Sequence, residues 1–394
     1  DTHTPRTRTT MVFSLPLFLL LHLAPSSNAE FSVTTLPSLN KLFEPQKEGW
    51  LGADSSASVC IKTNCYFIWA DTLVGSLFLN SSTTPAPSTI NRNITGMPHN
   101  SLSLNQLNVQ PKFLDPRVSN RPRKKNMGWF APDDFPNSYY WPINGVHDAT
   151  INKSLIMSAM RVSKLGFLNV TSTDLKIVND TNIIAHPDDP TWWEFRTVTL
   201  PKGEEIYSTL GLLIVEDFLY IMGNQKAEKK AILSRLKLSS LLNSNNTNPS
   251  IEYLTESGSF VTDPENNSEL HRLFDRPTSC SEGDLNYNEK LNIFYFVCLQ
   301  ATDPNILFAS SSNLCSTKSW ATSTIYTVPE ELSNGFPYTA YAAKSHPELS
   351  DDGETIIISY NTNSAGGFDG LQNSTIAYHP RFLELTITTT ITNN

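Results

Sequence analysis

Residues Asp284–Leu299 read DLNYNEKLNIFYFVCL, in which a short polar turn separates two runs of apolar and aromatic residues. Two β-favouring runs joined by polar residues predict a β-hairpin. The same pattern recurs four more times, at Ser58–Ala70, Gly145–Arg161, Gly211–Gly223 and Tyr341–Tyr360. A hairpin alone cannot bury its apolar face, so we expect the five hairpins to pack against one another.

The spacing of the hairpins predicts the fold. Measured from Val59, Val146, Leu212, Leu285 and Ala343, the intervals are 87, 66, 73 and 58 residues. Units of this size suit a β-propeller, whose blades are four-stranded sheets around a central channel. We therefore expect an all-β, five-bladed β-propeller in which the first strand of each blade lines one funnel. The C-terminal segment YHPRFLELTIT is expected to complete a blade with the N-terminal segment FSVTTL, which removes two open edges.

The N-terminus has the pattern of a leader. Residues 1–10 precede the first Met and are interpreted as upstream translated sequence. Residues 11–29 hold an apolar core of about a dozen residues followed by small residues, typical of a secretory signal peptide and too short for a membrane span. A buried N-terminal helix is the alternative. We expect residues 30–394 to form one secreted propeller domain without a later membrane span.

Glycosylation sequons and charge agree with secretion. Eight Asn-x-Ser/Thr sequons occur, at Asn80, Asn93, Asn152, Asn169, Asn179, Asn245, Asn266 and Asn373. Behind a signal peptide they predict N-linked glycans at exposed turns. The net charge of −9 argues against a nucleic-acid partner, which requires a basic face. The basic run Arg121–Lys125 is interpreted as a solvated loop, with polyanion contact as the alternative.

The five cysteines allow two disulfides and one free thiol. Cys60 and Cys65 flank the turn of the first hairpin and are expected to pair across it. Cys298 lies inside the apolar run IFYFVCL, so we expect it to be buried and reduced, with Cys280 paired to Cys315. The sequence alone leaves this second pairing open. No CxxC or HExxH motif occurs, and no zinc site is expected.

Several motifs resemble a known group of propellers. The stretches concerned are Gly49–Ser76 (with GADSSAS and WADT), Tyr139–Val162 (with YYWP), Ser281–Val297 and Tyr341–Ser364. They resemble blades of the five-bladed, uncharacterised DUF4185 group over roughly Gly49–Phe382. That group is distantly similar to furanosidase-type glycoside hydrolases of families 43, 32 and 62. The resemblance implies a base or nucleophile Asp on the first blade, a general acid on another blade and an auxiliary Asp.

Acidic residues at the strand entries are the candidate catalytic groups. Asp54 in GADSSAS and Glu282 in SCSEGDL stand where the first strands of two units enter the funnel. Glycoside hydrolysis needs such a carboxylate pair, and the resemblance makes Asp54 the base or nucleophile and Glu282 the acid. Asp148 is a third candidate, although its motif GVHDATINKS indicates the far hairpin turn. Asp71 ends a hairpin strand and is a candidate for substrate contact or a turn residue bonded to backbone amides, a structural role equally open to Asp54.

Aromatic residues and histidines complete the candidate site. Tyr140, Trp141, His147, Tyr341 and His346 are predicted to contact substrate. Tyr140 and Trp141 suit an aromatic platform for a sugar ring. His346 precedes a proline and so lies in extended backbone, and it resembles the last-blade histidine of furanosidase-type propellers. Packing in the core is the structural alternative for these residues.

The sequence therefore predicts a secreted, carbohydrate-directed, glycoside-hydrolase-like protein with a two-carboxylate site in its funnel. The alternative is a non-catalytic extracellular propeller that binds a glycan or a protein. No cofactor is expected, although a structural calcium in the funnel fits the resemblance. One departure weakens the enzyme prediction: the third hairpin, STLGLLIVEDFLYIMG, has no acid on its entering strand, so the general acid must come from the fourth unit.

Overall fold

The computed structural model describes residues 29–80, 89–105, 110–116, 127–150, 153–164, 169–200, 206–225, 231–243, 249–262, 270–274, 280–300, 304–318, 320–329, 338–350, 352–364 and 366–389. Residues 1–28, which hold most of the predicted signal peptide, the basic run at 121–125 and three sequons (Asn152, Asn245 and Asn266) lie outside these ranges. Within them the chain is all-β, with 24 strands and four short α-helices. None of the described helices is long and apolar enough to cross a membrane.

The described residues between 29 and 114 form two sheets and the outer strand of a third. The elements in chain order are β1 (Ala29–Thr35), α1 (Pro37–Leu42), β2 (Glu48–Ala53), β3 (Ala57–Ile61), β4 (Asn64–Trp69), β5 (Thr72–Asn80), β6 (Thr89–Gly96), β7 (Ser101–Asn105) and β8 (Lys112–Leu114). The first sheet has the order β3-β4-β7-β8. Strands β2, β5 and β6 form a separate three-stranded sheet, which we call the accessory sheet.

Three further sheets follow in chain order. The second contains β9 (Ser138–Asp148), β10 (Ser154–Ser163), β11 (Asn169–Asn179) and β12 (Arg196–Thr199), with α2 (Asp180–Ala185) after β11. The third contains β13 (Ile206–Val215), β14 (Phe218–Gln225), β15 (Ala231–Lys237), β16 (Ile251–Leu254) and β17 (Phe260–Val261), with α3 (Leu238–Leu242) after β15. The fourth contains β18 (Cys280–Asn288), β19 (Ile293–Gln300), β20 (Asn305–Ser311) and β21 (Ala321–Thr327).

The fifth sheet joins the two ends of the described chain. It contains β22 (Tyr338–Ser345), β23 (Thr355–Ser364) and β24 (Arg381–Thr389), with α4 (Gly367–Gln372) between β23 and β24. Its outer strand is β1, which pairs antiparallel with β24 so that Val33 lies opposite Leu385. The predicted pairing of the N- and C-terminal segments is confirmed. All five predicted hairpins are also confirmed, as the antiparallel pairs β3–β4, β9–β10, β13–β14, β18–β19 and β22–β23.

Apolar side chains fill the space between successive sheets, and strand β19 shows how. Phe296 and Cys298 belong to the core between the third and fourth sheets, whereas Tyr295 and Val297 belong to the core between the fourth and fifth. Successive side chains of a strand point to opposite faces. A strand with a neighbouring sheet on each face therefore reads as the unbroken apolar run seen in the sequence, and each such side chain contributes about 1.5–3 kcal/mol when fully buried.

The disulfides confirm one cysteine prediction and correct another. Cys60 and Cys65 form the predicted bridge across the first hairpin. The predicted Cys280–Cys315 bridge is wrong, because Cys280 is bonded to Cys298 and Cys315 is the free thiol. Cys280 and Cys298 lie on paired strands with their Cα atoms 5.8 Å apart, a separation that a disulfide spans. Burial of Cys298 in an apolar run does not prevent this bond, since Cys280 is buried beside it.

Candidate functional site

The register of the first hairpin brings two aspartates together. Asp54 directly follows β2 and lies three residues before the hairpin β3–β4, and Asp71 lies two residues beyond that hairpin. The Asp54 amide donates to the Asp71 carbonyl at 3.1 Å, and the Ala70 amide donates to the Asp54 carbonyl at 3.0 Å. Residues separated by the whole hairpin are thus neighbours at its open end, where the accessory sheet joins.

Asp54 is held by two tyrosines from the last sheet region. The hydroxyls of Tyr341 and Tyr378 donate to Asp54 Oδ2 at 3.3 Å and 3.1 Å. Its other oxygen, Oδ1, is buried and has no hydrogen-bond partner among the described residues. Burial raises the pKa of Asp54 well above its ordinary value, and the negative charges of Asp71 and Glu282 raise it further. A carboxyl in this environment tends to hold its proton.

Glu282 enters the same region from the fourth sheet on a β-bulge. The ladder between β18 and β19 shifts register between Cys280 and Gly283, so Glu282 lies in the bulged stretch. Bulges re-aim side chains and are common beside active sites. The fully buried ammonium of Lys344 lies 3.7 Å from Glu282 Oε2 and donates to the Gly283 carbonyl at 3.0 Å. The bulge thereby places a carboxylate beside a buried cation.

Backbone strain concentrates around Asp54. Ser55, Ala342 and Tyr378 are non-glycine residues with φ of 53°, 53° and 68°. Ser55 adjoins Asp54, Ala342 adjoins the tyrosine at 341, and Tyr378 itself contacts Asp54. Each such conformation costs on the order of 1–3 kcal/mol and persists only where the surroundings enforce it. Three of them around one carboxyl indicate that its geometry is fixed by the fold.

Aromatic rings and a histidine surround Asp71. Trp141 Nε1 donates to Asp71 Oδ1 at 2.8 Å, and His99 Nδ1 lies 2.8 Å from the same oxygen. The His99 ring stacks on Tyr139 with centroids 3.8 Å apart, and Tyr139 packs edge-on against Trp141. Tyr139 and Trp141 keep partial exposure, so we call this pair the aromatic shelf.

Four residues predicted to act in the site lie elsewhere, three of them on β9. Asp148 is at the far end of β9, where its Oδ1 accepts from the amide and hydroxyl of Thr150, as its motif indicated. His147 is paired with Asp180 at 2.9 Å. Tyr140 faces away from the shelf and donates to Asp174 at 2.5 Å.

His346 is fully buried in the seam between the first and fifth sheets. Its Nδ1 lies 2.5 Å from Ser58 Oγ and its Nε2 lies 2.7 Å from Ser359 Oγ. Burial and the charge of Lys344 lower the pKa of His346 to about 3. The ring is therefore neutral at ordinary pH, and both of its nitrogens are already engaged in the structure.

The structure thus groups Asp54, Asp71, Glu282, Trp141 and Tyr341 from the predicted set. It adds four residues that the sequence reasoning missed: His99, Tyr139, Lys344 and Tyr378. Tyr139 carried a usable signal, because residues i and i+2 of a strand share a face and Trp141 was already a candidate. His99 and Tyr378 lie outside the repeated hairpins and carried no comparable signal.

The chemical capacity of the group is that of paired acids beside an apolar platform. One carboxyl is buried and favours its protonated form, and another faces a cation. Among the residues that the structure describes, no three or more His, Cys, Asp and Glu side chains are grouped as metal ligands.

Comparison with known proteins identifies a family. The family model described as "Domain of unknown function (DUF5005)" matches residues 38–387, and the chain belongs to this family. This is a different group from DUF4185, and the resemblance to the latter stays a prediction. No curated protein matches the chain.

Several solved structures are similar to this chain. A protein from Bacteroides ovatus, provisionally described as a hydrolase, is 16% identical with a TM-score of 0.65 over 90% of each chain. An α-L-arabinofuranosidase from Lactobacillus brevis is 13% identical with a TM-score of 0.44, covering 85% of this chain and 90% of that one. A family 117 glycoside hydrolase from Zobellia galactanivorans is 8% identical with a TM-score of 0.44, covering 93% and 92%. The first of these supports the all-β architecture.

Proposed function

We propose that this protein is a secreted glycoside-hydrolase-like enzyme whose active site contains Asp54 and Glu282 in the central funnel of a five-bladed propeller formed by residues 30–394. The observation that carries the proposal is the convergence of three acids from distant segments. Asp54 and Asp71 flank the first hairpin, and Glu282 belongs to the fourth sheet. Even so, the negative charges of Asp71 and Glu282 both raise the pKa of Asp54. Burying like charges close together destabilises a protein, and carboxyl groups whose pKa is perturbed in this way cluster at functional sites.

Closure of the five sheets into a ring is supported by contacts across every pair of successive sheets. Hydrogen bonds join Ser55 Oγ to Pro142 O at 3.0 Å, Asn144 Nδ2 to Leu210 O at 3.4 Å and Lys344 Nζ to Gly283 O at 3.0 Å, and one apolar core that includes Leu210 and Leu285 joins the third and fourth sheets. Ser58 on β3 lies 2.5 Å from His346 Nδ1, which joins the first sheet to the fifth. A core containing Phe67, Trp69 and Phe382 spans the same seam.

The environments of the two carboxyl groups favour different roles in hydrolysis. Asp54 favours its protonated form and can donate a proton to the glycosidic oxygen. Glu282 lies beside the Lys344 ammonium and is suited to activate water or to attack the anomeric carbon. This assignment exchanges the two roles implied by the resemblance to furanosidase-type enzymes.

Asp71 is suited to be the auxiliary acid. Trp141 and His99 hold its Oδ1 in place, and its charge raises the pKa of Asp54. It therefore keeps a proton on Asp54 without itself needing to contact the reacting bond.

A carbohydrate substrate is supported by the aromatic shelf, because an apolar sugar face stacks well on an aromatic ring. The provisional description of the Bacteroides ovatus protein as a hydrolase agrees with this proposal. Secretion is supported by two disulfides, which persist in oxidising compartments. Four sequon asparagines, Asn93, Asn169, Asn179 and Asn373, are exposed and suited to carry N-linked glycans.

The test is a screen of the secreted protein against 4-nitrophenyl glycosides and natural oligosaccharides, with Asp54→Asn and Glu282→Gln beside the wild type. Loss of a general acid or base costs about 10²–10⁴-fold in rate. Substrates with a good leaving group need little protonation, so we expect Asp54→Asn to spare nitrophenyl glycosides while slowing the natural substrate. Glu282→Gln should slow both.

The reverse pattern would restore the roles implied by the resemblance. Unchanged hydrolysis in both variants would contradict the carboxylate pair. Glycan binding without turnover by the wild type would instead favour the non-catalytic propeller that the sequence left as the alternative.

A further inference from the structure

Tyr378 reaches Asp54 from an irregular segment. It follows residues 371–377, which begin with the last two residues of α4, lead towards β24 and form no strand. Its backbone φ is 68°, its amide donates to the Thr362 carbonyl at 2.8 Å, and its side chain is buried. An irregular segment in a strained conformation needs an external support to hold one hydroxyl on one carboxylate oxygen.

Arg92, on β6 of the accessory sheet, supplies this support. Its side chain is fully buried, and its guanidinium donates to four backbone carbonyls of the segment. The acceptors are Leu371 O at 3.1 Å, Ser374 O at 2.5 Å, Thr375 O at 3.4 Å and Ala377 O at 2.6 Å. Buried carbonyls without donors cost about 1–3 kcal/mol each. One planar side chain thus replaces the ladder bonds that the segment lacks.

Gly52, on β2 of the same sheet, confines the segment from another side. A Cβ at Gly52 would lie 2.0 Å from the Tyr378 carbonyl oxygen, and the φ of Gly52 is +144°. Only glycine allows the backbone to approach this closely. Leu51 and Leu73 pack with Leu371 and Ala377 in the same small core. The accessory sheet therefore contacts the segment through a charge, a close backbone approach and an apolar core.

We propose that Arg92 is a positioning residue of the carboxylate site, which holds residues 371–377 so that the Tyr378 hydroxyl stays bonded to Asp54. Arg92 acts through Tyr378 and touches no reacting atom. Its importance for turnover rests on the proposed function, whereas the bond it supports can be measured without any substrate. The accessory sheet gains a role by this inference, as the element that carries the clamp.

The geometry requires arginine. A guanidinium presents five donors in a rigid fork, whereas a lysine ammonium is a single compact charge with three donors. Lysine at position 92 keeps the buried charge but cannot span carbonyls from Leu371 to Ala377 at once. Arg92→Lys is therefore a sharp variant, because it preserves charge and removes the fork.

The experiment is a carbon-13 NMR titration of the Asp54 carboxyl, assigned with Asp54→Asn, in the wild type and four folded variants. The Tyr378 hydrogen bond lowers the pKa of Asp54, so Tyr378→Phe should raise the midpoint by about 0.5–1 unit. Arg92→Lys should raise it in the same direction, and the double variant should match Tyr378→Phe alone. Arg381→Lys is the matched control, because Arg381 bonds one carbonyl of the same segment, Ile376 O, at 2.8 Å. It should leave the midpoint unchanged.

An unchanged midpoint in Arg92→Lys would overturn the proposal, and so would additive shifts in the double variant. No shift in Tyr378→Phe would overturn it as well, since the bond would then be absent. If Arg92→Lys fails to fold, Gly52→Ala displaces the Tyr378 backbone directly and must raise the midpoint for the proposal to stand. None of these outcomes depends on hydrolysis, so failure of the proposed function is separately visible.

Discussion

Asp54 and Glu282 are two acids that interact electrostatically and are fixed by different means. Asp54 is held by hydrogen bonds from two tyrosines and by strained backbone around it. Glu282 is held on a bulge that a disulfide closes, because Cys280 precedes the bulge and its partner Cys298 lies opposite Gly283. The charges of Asp71 and Glu282 act on Asp54, whereas the Lys344 ammonium lies beside Glu282. The contrast teaches that the fold sets the position and the charged neighbours of each group separately.

Removing the disulfide that closes the bulge should have the largest effect on turnover. Cys280→Ser/Cys298→Ser frees the bulge, and misplacing a reacting group by about 1 Å costs on the order of 100-fold in turnover. We expect a fall of about 10–100-fold in kcat/KM on the best glycoside found. Cys60→Ser/Cys65→Ser is the matched control, since that bridge lies at the far turn, and it should change kcat/KM less than about twofold. If both double variants lose kcat/KM equally, the disulfide at the bulge has no special role in positioning Glu282.

Removing the cation tests whether Glu282 depends on its charge partner. Lys344→Met leaves Glu282 without the ammonium at 3.7 Å. The same change removes the donor to the Gly283 carbonyl, so the bulge that carries Glu282 is held less firmly. A hydrogen bond from a charged donor is worth about 1.5–3 kcal/mol, so we expect kcat/KM on the best glycoside found to fall by at least about tenfold. An unchanged kcat/KM would show that the ammonium does not act on Glu282.

The aromatic shelf tests the Asp71 side of the site. Trp141→Phe keeps an apolar ring but removes the donor to Asp71 Oδ1. Loss of one hydrogen bond of about 1 kcal/mol corresponds to roughly a five-fold change. We expect KM to rise by about that factor with a smaller change in kcat. Tyr140→Phe is the comparison, because Tyr140 faces away from the shelf, and an equal effect there would argue against the shelf as a sugar platform.

The smallest effect concerns stability. The folded-state pKa of Asp54 is raised, so its favourable contribution is full below the unfolded pKa and is lost as pH rises through the folded pKa. Above that pH the ionised group destabilises the wild type. Asp54→Asn should then unfold at a higher temperature than the wild type at pH 7–8, by on the order of 2 °C per kcal/mol. The difference should shrink toward pH 4, and thermal unfolding followed across this range measures it.

The sequence predicted the hairpins well because each one consists of two β-favouring runs separated by a clear polar turn. The unbroken apolar run at Phe294–Leu299 shows why, since a strand between two sheets must be apolar on both faces. The pairing of β1 with β24 was also predictable, because a sheet lacking an outer strand leaves an open edge. These features are local in sequence or follow from the need to cover edges.

The site was predicted only in part. Asp54 and Glu282 stood at strand entries, where position along a repeat indicates position in space. The bulge at Glu282 changes register, and this change decided the partner of Cys280, which no spacing rule could supply. Tyr378 and Arg92 meet through an irregular segment and the accessory sheet. Contacts of this kind depend on tertiary packing, so the sequence could not predict that His99, Lys344 and Tyr378 belong to the site.

The titration midpoint of Asp54 in the wild type and in Glu282→Gln is the most direct measurement of whether the two acids share one cavity. Because the negative charge of Glu282 raises the pKa of Asp54, its removal should lower the Asp54 midpoint in a carbon-13 NMR titration. Glu384→Gln, on the outer part of the fifth sheet, should leave it unchanged. An Asp54 midpoint identical in the wild type and in Glu282→Gln would contradict the convergence on which the proposed chemistry depends.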